Sequence, residues 1–248
     1  ESPRWLTKQG RGDTAMAVLS RIGGSSAARR ELREIKDAIA HESGSLAQLL
    51  MPGMRIVLAI GVILAVLQQV TGINVFLYYA PEIFKKIGSE TTDTAMLQTI
   101  VVGAVNMLFT LVAIYTVDRG GRKPLMIIGA AGMGVCLFML GLAAYLDSMG
   151  VWVLIFILGY IASFALSLGP VTWVVLSEIF PTRIRGRAMA IATVCLWVAN
   201  LVVSYSFPVM DENPWLVEKF NHAFPFWLYG LLCVVEILFV WRFLPETK

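Results

Sequence analysis

Six long apolar runs constrain this chain more than any other feature: residues near 56–80, 95–117, 124–146, 151–177, 188–210 and 223–243. Each clears the roughly 20 residues that a helix needs to cross a bilayer. The first five contain no charged residue, and the sixth contains Glu236 and ends at Arg242. Apolar residues make up 57% of the chain and charged residues 15%, against about 45–50% and 25% in soluble domains. These observations predict an all-α integral membrane protein with six transmembrane helices. Cys136, Cys195 and Cys233 all lie within the runs, so neither a disulfide framework nor a metal-ligand spacing is present. The chain starts at Glu1 without Met and shows no signal-peptide pattern, and it is expected to be a piece of something longer.

Residues 1–53 form a polar, basic segment ahead of the membrane domain at 54–248. Asp13 can cap a short helix that stops at Gly23-Gly24. Ser25 or Ser26 can cap a second helix, on which Leu32, Ile35 and Ile39 form one apolar stripe. Lysine and arginine set the orientation. Nine lie in residues 1–55, and Arg119, Arg122, Lys123, Arg183, Arg185, Arg187, Arg242 and Lys248 share their side of the membrane. The opposite side has only Lys85, Lys86 and Lys219. This asymmetry places both termini in the cytoplasm, in agreement with an even number of spans.

Polar groups gather in the middle of the first run, at Gln68, Gln69 and Asn74, with Gly72 between them. An unpaired amide in hydrocarbon costs roughly 2–7 kcal/mol, so these groups face protein or a wet cavity rather than lipid. Two readings stand: amides that glue helices together, or amides that line a binding site at a break in the helix. The fourth run carries a matching interruption at Gly169-Pro170, and spans one and four are equivalent members of two three-helix units. Interrupted helices at matching positions of a repeat point to a transporter substrate site.

The chain resembles the C-terminal half of a sugar porter of the major facilitator superfamily, closest to bacterial xylose–proton symporters. The residues that carry the likeness begin with Glu1-Ser2-Pro3-Arg4-Trp5-Leu6, Gln68-Gln69 through Tyr78-Tyr79, and Asp118-Arg119-Gly120-Gly121-Arg122-Lys123. They continue with Gly169-Pro170-Val171-Thr172-Trp173, Ser177-Glu178-Ile179-Phe180-Pro181 with Arg185-Gly186-Arg187, and Pro245-Glu246-Thr247-Lys248. Members of the family have twelve spans, so the resemblance implies six further spans that this chain lacks.

The resemblance also implies roles. Gln68, Gln69, Asn74, Asn106 and Trp173 would contact a monosaccharide, whose hydroxyls both donate and accept, as amides do. Tyr79, Phe164, Trp197 and Asn200 would line or gate the cavity. Leu196 departs from the family, which commonly has an amide there; the change favours sugars with fewer hydroxyls. Asp118, Arg122, Glu178 and Arg185 would form a cytoplasmic ion-pair network that locks the outward-open state. Apart from the resemblance, Glu236 is an acid within a span and so a functional candidate, and its place six residues from Arg242 favours the structural reading, a pair near the cytoplasmic boundary. The implied function is alternating-access transport of a pentose or hexose, D-xylose foremost, with proton symport in a bacterial inner membrane. A membrane sugar sensor and an uncoupled carrier remain as alternatives. No nucleophile constellation, phosphate loop, cofactor motif, metal site or nucleic-acid-binding feature argues for other chemistry.

Overall fold

The computed structural model describes residues 1–41, 49, 51–86, 92–148, 150–182 and 184–244. The terminal Pro245–Lys248 motif, Arg183 and the side chains of Asp118, Lys85 and Lys86 lie outside that description. Every regular element among the described residues is a helix.

The chain divides into two compact units, one made of residues 1–55 with 181–187 and the other of 56–180 with 188–248. In the first, α1 (Pro3–Lys8) starts where Ser2 Oγ accepts the Trp5 N–H at 3.3 Å and Pro3 takes the first helical position. Ser followed by Pro is an N-terminal helix signal, and it adds an element that the stripe analysis omits. The second helix, α2 (Gly12–His41), carries Asp13 in its first turn and kinks at Gly24, where φ is +77°. The two predicted helices are thus one assigned helix with a break at the expected glycine. Leu6, Ala15, Leu19, Ala28 and Leu32 bury together, with Ile35 packed against them.

The larger unit holds the spans, apart from the first residues of spans one and five. Span one is α3 (Met54–Val70) and α4 (Ile73–Lys86), separated by Thr71-Gly72. Span two is α5 (Thr92–Gly120), and span three is α6 (Arg122–Tyr145). Span four is α7 (Val151–Leu166) and α8 (Leu168–Ile179), separated at Ser167. Span five, α9 (Arg185–Asp211), has Pro208 inside it; α10 (Pro214–Phe220) leads to span six, α11 (Phe224–Phe243). Six helices are long and apolar enough to cross a membrane, and their bounds agree with the sequence reading to within a few residues. Differences of that size are ordinary at frayed helix ends.

The core runs through α6, α7, α8 and α11, with Met126, Met133, Leu137, Ile157, Tyr160, Val171, Val175 and Cys233 fully enclosed. Close approach matters most at Gly129 of α6, where an added Cβ would run into Ser167, the residue at which span four turns. One end of this unit is tied by Asn221 Nδ2, which donates to Ala144 O at 3.0 Å, and by a 2.9 Å contact between His222 Nδ1 and Asp211 Oδ1. At the other end, Lys123 Nζ donates to Trp241 O at 2.8 Å, a cation placed against the last carbonyls of α11.

Two expectations are corrected. The turn of span four comes at Ser167 rather than at Gly169-Pro170, and Pro170 sits in the first turn of α8. The first N–H groups of a helix have no intrahelical partner, so proline removes nothing there and the chain breaks just ahead of it. Glu236 does not pair with Arg242. Glu236 is wholly buried with neither carboxylate oxygen bonded among the described residues, while the Arg242 guanidinium lies over the Phe243 ring, 5.6 Å from its centroid. Six residues is about 240° around a helix, so the two side chains leave on different faces.

Candidate functional site

The break in span one assembles the site. Gly72 has φ of +92°, and a Cβ there would lie 2.7 Å from the Tyr229 ring; only glycine takes this backbone and this space without strain. Around a continuous helix, residues 69 and 74 would stand about 140° apart and about 7.5 Å along the axis. With the turn in place, Asn74 Nδ2 donates to Gln69 Oε1 at 2.5 Å. Asn200 Nδ2 of α9 donates to the same oxygen at 3.2 Å, and Ser204 Oγ donates to Asn200 Oδ1 at 3.2 Å. Tyr79 closes the chain of contacts with its hydroxyl on Ser204 O at 3.2 Å and its ring beside Phe207. Spans one and five are therefore joined through Gln69.

The oxygen of Gln69 is used twice, and its amide nitrogen donates to no described residue. It is a donor held in place by its own acceptor and left available. Gln68, its neighbour, is spent differently. Its nitrogen donates to Leu168 O at 2.9 Å and to Gly169 O at 3.2 Å, which ties span one to the turn of span four. Gln68 Oε1 is buried without a partner among the described residues. The adjacent pair thus divides between the two readings left open by the sequence: Gln68 glues helices, and Gln69 keeps a free donor.

The other candidate residues sit as follows. Asn106 of α5 is half-buried; its backbone oxygen accepts from Thr110 Oγ1 at 2.7 Å, and its side chain bonds to no described residue. Trp173 of α8 is 38% exposed and Trp197 of α9 56% exposed, so both indoles present surface. Phe164 is half-buried, with its ring against Gly169. Leu196 is buried with Asn200 on one face of α9, and Thr193 on that face returns its hydroxyl to Met189 O at 2.8 Å. The wall beside Asn200 is consequently apolar at Leu196. Ser204 was not singled out in the sequence, although it stands one helical turn beyond Asn200, a spacing that puts two polar groups side by side.

Two of the charged residues expected at the end of span four meet in a bridge. Arg122 Nη2 and Glu178 Oε1 form a 2.9 Å salt bridge between α6 and α8, with side chains 13% and 28% exposed. Arg185 belongs to the other compact unit, and the side chain of Asp118 lies outside the described residues. No group of His, Cys, Asp and Glu that could hold a metal occurs among the described residues.

Comparison with known proteins places this arrangement in a family. The family of sugar (and other) transporters matches residues 1–248. The D-xylose-proton symporter of Escherichia coli K12 is 50% identical over 248 residues, covering 100% of this chain and 50% of that protein. The glucose facilitated diffusion protein of Zymomonas mobilis is 43% identical over 249 residues, covering 100% of this chain and 52% of that protein. Among solved structures, the proton:xylose symporter XylE bound to 6-bromo-6-deoxy-D-glucose superposes with a TM-score of 0.80 at 50% identity. That match covers 100% of this chain and 52% of the symporter. The inward-open xylose transporter XylE from E. coli gives 0.77 at 45% identity, over 100% of this chain and 49% of the other. The chain spans about half the length of the curated relatives it matches. It is a multi-pass integral membrane protein and belongs to the sugar (and other) transporter family of the major facilitator superfamily.

Proposed function

We propose that this chain forms the C-terminal half of a monosaccharide transporter that works by alternating access, moving D-xylose together with a proton and making no covalent bond. The observation that carries the reading is Gln69. Its amide oxygen is fixed by Asn74 and Asn200, and its nitrogen is free to donate to a sugar hydroxyl. A donor held in position before binding loses little freedom when the ligand arrives. Asn74 and Asn106 add amides, and Trp173 offers a ring face for the C–H face of a pyranose. Gln68 is assigned to the same wall, chiefly as the tie that holds the two broken spans together. Tyr79, Phe164, Trp197 and Asn200 line or gate the cavity. The missing wall would come from a six-span N-terminal half, with the sugar near the bilayer midplane between them.

The choice of D-xylose and of proton coupling rests on the symporter relative from E. coli. The relative from Z. mobilis, named as a facilitated diffusion protein, favours uncoupled carriage as the second reading. Residues 1–53 and both termini are assigned to the cytoplasm of a bacterial inner membrane, on the distribution of lysine and arginine. Asp118, Arg122, Glu178 and Arg185 are assigned to a network on that face which favours the outward-open state; the Arg122–Glu178 bridge supports it.

The test is uptake of radiolabelled D-xylose into proteoliposomes holding the complete transporter, with an inward proton gradient. Accumulation above the external concentration that a protonophore abolishes agrees with symport. Saturable uptake that never exceeds equilibrium and ignores the protonophore selects the uncoupled carrier. Absence of D-xylose uptake, with another sugar carried, overturns the substrate.

A further inference from the structure

The break in span one leaves one backbone group in need of a partner. In an unbroken helix, the Val75 N–H would bond to Thr71 O. Here it bonds to Gly72 O at 3.1 Å, and the Gly72 N–H turns back to Gln69 O at 3.0 Å. The Thr71 carbonyl is thereby released inside the core, where an unpartnered carbonyl costs about 1–3 kcal/mol. Tyr160 of α7 meets it. The Tyr160 hydroxyl donates to Thr71 O at 3.0 Å from a fully buried position, and its ring packs on Phe76 with centroids 4.6 Å apart. Thr71 spends its own hydroxyl on Gln68 O at 3.0 Å, so it gives its carbonyl no relief.

The alternative to the break is the continuous helix, in which Val75 recaptures Thr71 O and residue 74 rotates away from residue 69. Whatever satisfies Thr71 O without Val75 therefore favours the geometry in which Asn74 fixes Gln69. We propose that Tyr160 is a positioning residue of the sugar site, holding the Thr71-Gly72 turn open through its hydroxyl and so keeping Gln69 and Asn74 in register. The proposal rests on the reading of Gln69 and Asn74 as sugar contacts. Tyr160 itself is enclosed between span one and the core and acts only through the backbone it holds.

The experiment measures D-xylose binding to the purified complete transporter by isothermal titration calorimetry, with gel filtration as the check on folding. Tyr160→Phe keeps the ring and removes the donor; Kd should rise roughly three- to tenfold, the range of one lost hydrogen bond. Para-aminophenylalanine at position 160 keeps ring and donor, and its Kd should stay at the wild-type value. In a Gln69→Ala background, Tyr160→Phe should add almost nothing, because residues that act through one another are not additive. Wild-type affinity in a folded Tyr160→Phe overturns the proposal. So does loss of binding in the para-aminophenylalanine variant, or full additivity with Gln69→Ala. If Gln69→Ala itself leaves Kd unchanged, the reading of the sugar site fails and Tyr160 falls with it. If Gln69→Ala weakens binding and Tyr160→Phe does not, Tyr160 alone is rejected.

Discussion

Span one turns at Gly72, which takes a positive φ beside the Tyr229 ring, whereas span four turns at Ser167, three residues ahead of Pro170. In the first, backbone freedom makes the turn and polar side chains collect around it. In the second, the chain breaks at Ser167 just ahead of a proline that fits the first helical turn, Ser167 Oγ donates back to Ser163 O at 2.6 Å, and backbone carbonyls are what the turn offers. The two are complementary. Gln68, from beside the first break, donates to Leu168 O and Gly169 O at the second, while Tyr160, from ahead of the second, donates to Thr71 O at the first. Each broken span thus donates to a backbone carbonyl at the other's turn, while the nitrogen of Gln69 and Gln68 Oε1 keep no partner among the described residues.

The comparison breaks most severely at Gly72. Gly72→Ala forces a side chain into a left-handed backbone and against Tyr229, and should destabilise the protein by about 2–4 kcal/mol. Thermal unfolding in detergent, followed by gel-filtration yield, checks this; a variant as stable as wild type would mean that the turn is not confined as described. Next comes Gln69→Ala, which should leave folding intact and raise the Kd for D-xylose roughly ten- to a hundredfold.

Gln68→Ala sharpens the contrast within the pair. It removes the tie to Leu168 and Gly169, so it should cost about 1–2 kcal/mol of stability, and its thermal shift should exceed that of Gln69→Ala. A smaller shift than Gln69→Ala would reverse the division of labour between the two glutamines. The smallest effects are expected away from both breaks. Glu236→Leu replaces a buried acid without a partner among the described residues by an apolar side chain, and should be neutral or stabilising; a loss of more than about 2 kcal/mol would mean that the carboxyl has a partner in the membrane. Glu178→Ala opens a half-exposed bridge worth about 1 kcal/mol or less, and accessibility labelling should move toward the inward-open state.

The sequence made the spans legible because a bilayer demands length and the absence of charge, and both can be counted along the chain. The breaks were legible for a related reason: glycine among amides and proline inside an apolar run are costly unless the backbone needs them. The use of each polar group was not. Gln68 and Gln69 are adjacent and chemically identical, and only the packing of α8 against α3 separates a structural tie from a free donor. Tyr160 reads as one more apolar-run aromatic until its hydroxyl is seen beside Thr71. Glu236 and Arg242 share a helix end in sequence but not a face, so proximity along the chain suggested a bridge that helix geometry forbids.

On the proposed function, the Gln69 wall is one side of a sugar site completed by another six-span half. The most direct measurement is uptake of radiolabelled D-xylose into proteoliposomes that hold this chain alone, a six-span N-terminal half alone, or both. This chain alone should insert without uptake, and both halves together should give saturable uptake. Saturable D-xylose uptake by this chain alone would contradict the proposed function and would make two copies of the same wall, with Gln69 and Trp173 facing their own symmetry mates, the transporting unit.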